Sequence, residues 1–200
     1  MCVRTRGWSP FYLASKRLQL GAKTSVFRLV AWVLYIRRRV LDLRTILLKV
    51  LIVYDSVSVN KNTEKVAEAV RDVLKAKGIE VQNSYVEDAD APTVKNYDTL
   101  VVGSPTHAWM ETPLIKKFLD SLKSESFAGK KAAAFDTRIK SRLSGSAVDG
   151  IEKRLKQLGF KIVVPGMATY VEGKEPNPVL IDGELDKAKK FADELVKALQ

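Results

Sequence analysis

Val50-Leu51-Ile52-Val53-Tyr54, followed by Asp55-Ser56-Val57-Ser58-Val59-Asn60-Lys61-Asn62-Thr63-Glu64, decides the fold. Five consecutive apolar residues are the mark of a strand buried on both faces, which is the normal state of a strand inside a parallel sheet. The polar run then opens a helix from Thr63 to Lys77, where Val66, Val70, Val73 and Leu74 recur at helical spacing and Gly78 closes the element. A buried strand leading through a short polar loop into an amphipathic helix is the first half of a right-handed crossover unit.

The same alternation continues downstream. Strands are expected at Ile79 to Val86, Thr99 to Gly103, Lys131 to Phe135 and Phe160 to Val164. Helices are expected from Thr112-Pro113 through Leu122, over Ala147 to Leu158, and over Leu185 to Leu199. Strands alternating with helices at this spacing predict an α/β domain: a doubly wound parallel sheet of five strands, covered on both faces.

Upstream of Lys49 the pattern changes. Residues 1–49 contain eleven Lys/Arg and one acid, Asp42, whereas the rest of the chain contains 23 Lys/Arg and 22 Asp/Glu. The net charge of +11 therefore belongs almost entirely to the first segment, and the nearly neutral remainder argues against a nucleic-acid-binding domain. A single α/β domain over 49–200 is expected, preceded by a basic N-terminal extension over 1–48. The longest apolar stretch of the extension, Leu29 to Ile36, is eight residues, far below the ~20 needed to span a bilayer. The simplest reading is a start codon assigned too far upstream, with Leu48 as initiator. A basic helix touching a membrane surface through residues 24–48 is the weaker alternative, because the arginines do not gather on one helical face.

One cysteine, Cys2, and one histidine, His107, exclude an internal disulfide and multi-histidine metal ligation, so no metal is expected. The cysteine usage accords with a reducing, cytoplasmic setting.

Open parallel sheets bind ligands beyond the carboxyl ends of their strands. Three loops follow those ends. The first, Asp55 to Glu64, places five polar side chains (Ser56, Ser58, Asn60, Asn62 and Thr63) within eight positions, beside Lys61. At a helix N-terminus, where free N–H groups and the dipole favour an anion, this predicts a phosphate site. Capping of the helix by Asn62 or Thr63 is the simpler alternative. No Gly-x-x-x-x-Gly-Lys-[Ser/Thr] or Gly-x-Gly-x-x-Gly is present, which removes P-loop NTPases and Rossmann dinucleotide sites. The second loop, Gly103 to Pro113, offers Trp109 as a stacking surface for a planar ring. The third, Asp136 to Ser146, carries Arg138, Lys140 and Arg142.

On these residues the chain from Lys49 onward resembles flavodoxins and the flavodoxin-like domains of larger flavoproteins. The pieces that carry the resemblance are V-L-I-V-Y-D-S…N-T-E-K-V-A-E-A-V, V-V-G-S-P-T and K-K-A-A-A-F. It implies strand order 2-1-3-4-5 and one FMN, in an arrangement the flavodoxin fold is known for. Carried over residue by residue, Ser56, Ser58, Asn60, Lys61, Asn62 and Thr63 would hold the phosphate. Ser104, Pro105, Thr106, His107, Ala108 and Trp109 would line one side of the isoalloxazine, and Asp136, Thr137 and Arg138, with Gly145, the other.

One departure matters. The family's phosphate loop is usually Ser/Thr-x-Thr-Gly-Asn-Thr, but Ser56 to Thr63 spends eight residues and no glycine. That length is more similar to NAD(P)H-dependent FMN and quinone reductases. The resemblance implies an electron carrier with no catalytic acid or base, docking transiently to redox proteins. The alternatives are an NAD(P)H-dependent FMN or quinone reductase, and a scaffold that has lost its flavin.

Overall fold

The protein is described here as a computed structural model covering residues 31–33, 48–141, 144–174 and 176–200. The chain falls into two compact units, Met1–Leu41 and Asp42–Gln200. Residues 31–33 are helical, and the rest of the expected surface helix lies outside the described residues.

The second unit contains β1 (Lys49–Tyr54), α1 (Asn62–Ala76), β2 (Glu80–Tyr85), α2 (Ala91–Lys95), β3 (Thr99–Pro105) and α3 (Pro113–Ser121). These are followed by β4 (Lys131–Ile139), α4 (Ala147–Gln157), β5 (Lys161–Ile162), β6 (Met167–Glu172), β7 (Val179–Leu180) and α5 (Glu184–Leu199). The sheet runs β2-β1-β3-β4-β6-β7, with β5 also paired to β4. All pairs are parallel except β6 with β7.

The apolar run of β1 is continuous because its residues alternate between two cores. Val50, Ile52 and Tyr54 pack with Val66, Val70 and Leu74 of α1 and Phe191 and Leu195 of α5. Leu51 and Val53 pack with Ile115 and Leu119 of α3 and Ile151 and Leu155 of α4. Each such side chain contributes about 1.5–3 kcal/mol on full burial.

The five-strand expectation needs correction. The fifth position is shared by β5 and β6, because between the pairs Ala132↔Ile162 and Phe135↔Met167 the β4 side spends two residues and the other side four. Pro165, which has no N–H to give the ladder, lies in that break. A short antiparallel strand, β7, then closes this edge, giving seven strands. The expectation also ended two strands early: β3 continues through Pro105 and β4 through Ile139, with Ser104↔Asp136 and Pro105↔Thr137 in register. Asp136, Thr137 and Arg138 are therefore strand residues. Helix α2 went unread, although Asp90 caps it by accepting the Thr93 N–H at 2.8 Å.

Gly103 marks the closest approach in the sheet. A Cβ there would lie 2.2 Å from Cζ of the fully buried Phe135 ring. Gly103→Ala is expected to cost about 1–3 kcal/mol through overpacking, read as a lower urea midpoint; an unchanged midpoint would show that the ring moves aside freely.

Candidate functional site

The carboxyl end of β1 leads into the first loop. Its helix begins at Lys61, in the left-handed conformation at φ 50°, with no side-chain cap bond. Asn62 and Thr63 are the first helical residues, so neither caps the helix. The N–H groups of Asn62 and Glu64 reach Ser58 Oγ and Ser56 Oγ only at 3.4 Å. Asn60 and Asn62 tie the loop to its neighbour: both Nδ2 groups donate to the Pro178 carbonyl, at 2.9 and 2.8 Å, and Asn62 Nδ2 also reaches Ser58 Oγ at 3.3 Å. Val59 N–H adds a 3.4 Å bond to the Pro176 carbonyl. The loop is thus strapped to the segment between β6 and β7. Thr63 Oγ1 and Thr137 Oγ1 hydrogen-bond at 2.7 Å, joining α1 to the end of β4.

The second loop makes a tight turn in which His107 and Met110 exchange backbone hydrogen bonds at 2.9 and 3.0 Å. Its central residues, Ala108 and Trp109, have φ of 46° and 67°, a strained region for non-glycine residues. Trp109 is 66% exposed, while its backbone pairs with Gly145, where a Cβ would lie 2.5 Å from Trp109 Cα. Just beyond, Glu111 is buried and accepts from Arg154 Nε of α4 at 2.8 Å; Arg154 also reaches Asp120 at 2.8 Å. Ser104 sits beneath the turn, accepting the Thr112 N–H at 3.1 Å and donating to the Pro105 carbonyl.

The end of β4 splits its side chains between the two faces. Thr137 faces α1. Asp136, fully buried, faces α4 and accepts from Thr106 Oγ1 and the Ala147 N–H, both at 3.1 Å. Arg138 Nε lies 3.6 Å from Asp136 Oδ1, its Nη1 donates to the Gly145 carbonyl, and its guanidinium lies 5.7 Å from the Tyr170 ring centroid. Lys140 is exposed, and Arg142 lies outside the described residues. Burial pushes the Asp136 carboxyl above the usual carboxylate range, against the opposing pull of Arg138 and of its hydrogen bonds.

Between these elements lies a cleft lined by Val57, Ser58, Asn62, Thr63, Pro105, Thr106, His107, Thr137, Arg138, Ile139, Val171 and Pro178. Eight of those residues were expected. Ser56, Asn60, Lys61, Ser104, Ala108, Trp109, Asp136 and Gly145 surround the cleft without lining it. Val57, Ile139, Val171 and Pro178 were missed, as was Asp55, which is buried and accepts from the Tyr85 hydroxyl at 2.9 Å. Burial first, and this bond second, push the Tyr85 hydroxyl up to about 12.

The cleft is small, about 90 Å³, and two roomier recesses of about 260 and 470 Å³ lie along α3 and beside Arg154. Donor chemistry separates them. The cleft gathers four hydroxyls, an amide and a guanidinium, with no carboxylate in its lining, whereas Glu87 and Glu125 line the other two. Hydroxyl and amide donors beside an uncapped helix N-terminus fit a phosphate monoester. A tricyclic ring needs more room than this and would lie against the loops at the surface, where Trp109 stands. Among the described residues no group of three or more His, Cys, Asp or Glu is placed to hold a metal, and no helix is long and apolar enough to cross a membrane.

The family model described as Flavodoxin matches residues 52–187. The chain belongs to the flavodoxin family. A flavodoxin of Aquifex aeolicus (strain VF5) is 34% identical over 93 residues, covering 44% of this chain and 49% of that protein. The chain thus spans about half the length of that curated relative. Oxidised Flavodoxin 2 from Bacillus cereus superposes with a TM-score of 0.64 at 28% identity, covering 74% of this chain and 98% of that one. Oxidised Flavodoxin 1 from the same organism gives 0.64 at 24% identity, covering 74% and 97%. Flavodoxins bind FMN and pass electrons, in agreement with the expectation drawn from the motifs, and these matches do not favour the reductase or flavin-free alternatives.

The buried Asp136 has a stability consequence with a definite sign. The folded state holds its proton more tightly than the unfolded chain does. Its favourable contribution is therefore present below the ordinary pKa of 3.8 and is lost as pH rises through the folded value. Asp136→Asn should melt progressively higher relative to wild type as pH climbs from 3.8 toward neutrality. A gap that does not change with pH would contradict the assignment.

Proposed function

We propose that residues 49–200 form the redox unit, holding one FMN at the carboxyl ends of β1, β3 and β4 and carrying electrons between partner proteins. Residues 1–48 are an appendage to that unit. The observation that supports this reading is the carboxylate-free cleft in which hydroxyls of two strand ends and one helix converge.

Ser56, Ser58 and Thr63, with Lys61 and the first-turn N–H groups of α1, hold the phosphate. Asn60 and Asn62 support them by fixing the loop to Pro178. Trp109, with the turn from Ser104 through Ala108, forms one wall for the ring, and Thr137, Arg138 and Gly145 form the other. When bound, FMN supplies the electron-transfer chemistry. The chain's own work is to bind the phosphate, orient the ring and keep one edge accessible. No acid or base of the protein is required.

Val57, Trp109, Met110 and Ile139 are exposed around the cleft. They form an apolar rim suited to brief docking of redox proteins, encounters that typically bury less than ~1,200 Å². A cytoplasmic setting accords with the cysteine usage.

The phosphate assignment is tested by comparing flavins. Riboflavin, which lacks phosphate, should bind far more weakly than FMN. Thr63→Ala should cost FMN about 1.5–3 kcal/mol by removing a hydrogen bond to a charged group, while leaving riboflavin unaffected. Equal affinities for the two flavins in the wild-type protein would refute the placement.

A further inference from the structure

Asp136 is a buried carboxylate that lines no part of the cleft, yet it joins the two loops that flank it. Its Oδ2 accepts from Thr106 Oγ1 of the second loop at 3.1 Å. The same oxygen accepts from the Ala147 N–H at 3.1 Å and from Ser146 Oγ at 3.5 Å, both at the start of α4. Thr106 Oγ1 itself also accepts from the Ala147 N–H at 3.1 Å. Ser146, the N-cap residue of α4, makes no side-chain cap bond. A strand residue therefore does the capping, and in doing so binds loop to helix.

We propose that Asp136 is a positioning residue of the flavin site, holding the Trp109 turn against the loop that carries Gly145 without touching the cofactor. This rests on the FMN reading above. Two further features support it. Ala108 and Trp109 persist in a strained conformation, which the surrounding structure must impose. The turn is seated on Gly145 with no room for a Cβ, and Gly145 in turn accepts from Arg138, whose Nε lies 3.6 Å from Asp136 Oδ1. A buried carboxylate is a costly way to fill space, and an apolar side chain would do that more cheaply. The acceptor oxygens are what an apolar residue cannot supply.

The test uses the full-length apoprotein and measures dissociation constants for FMN and riboflavin by quenching of flavin fluorescence, alongside thermal melting. Asp136→Ala should weaken both flavins by the same factor, about tenfold, with the melting temperature within a few degrees of wild type. Asp136→Asn, whose amide oxygen accepts from the same three donors, should recover most of that affinity. Unchanged affinity in Asp136→Ala overturns the proposal. So does a loss confined to FMN, which would make Asp136 a phosphate-side residue, or a loss matched by general destabilisation. If Asp136→Ala does not fold, the flavin-free Thr106→Val protein decides through its backbone amide shifts: displacement of both Trp109 and Gly145 supports the clasp, and unchanged shifts at both overturn it. Failure of wild type to take up either flavin would instead refute the FMN reading itself.

Discussion

Parallel pairing of β1, β3 and β4 is the constraint on which the site depends. Tyr54 lies beside Gly103, Gly103 beside Phe135, Ser104 beside Asp136 and Pro105 beside Thr137. In-register parallel strands deliver all their carboxyl ends to one edge, so three loops far apart in sequence open at the same place. The pairing holds because each strand is buried on both faces, and each face is covered by its own pair of helices. Electron carriage asks little else of a chain: a rigid edge, a place for an anion and an accessible ring.

Polar residues then take over where the apolar runs stop. Ser104, Asp136 and Thr137 remain in the sheet while their side chains face helix ends and loops, all of them buried. Burying such groups is tolerable only with partners, and here the partners are the elements that make the site. Thr137 joins Thr63 of the phosphate loop, Asp136 joins Thr106 and Ala147, and Ser104 joins Thr112. Thermodynamic satisfaction of the strand ends and geometric definition of the cleft are the same set of hydrogen bonds.

The buried parallel strands were legible because Val50–Tyr54, Leu100–Gly103 and Ala132–Phe135 are uninterrupted apolar or small-residue runs, as doubly buried strands need, while their order was implied only by the resemblance to flavodoxins. The ends of β3 and β4 were not legible, since a polar residue buried against a helix terminus looks like a loop residue in sequence. β6 was readable in principle: Met167, Thr169 and Val171 are buried in strict alternation. The expected strand instead ends at Val164, just before Pro165 and Gly166, and no strand is expected beyond it. The hydroxyls of the phosphate loop were visible, but the strap over them was not, because Pro176 and Pro178 contribute only backbone carbonyls. A carbonyl acceptor has no residue signature. The same reason hid the bonds that Asn60 and Asn62 make to the Pro178 carbonyl.

The account is tested most directly by mapping where FMN binds. Backbone amide shifts of the isotope-labelled protein, followed on titration with FMN, should change in one-to-one stoichiometry. The changes should be concentrated in residues 56–63, 104–110 and 136–147. Changes centred instead on the recess formed by Val86, Leu114 and Phe118, or on the one beside Arg154, would contradict it.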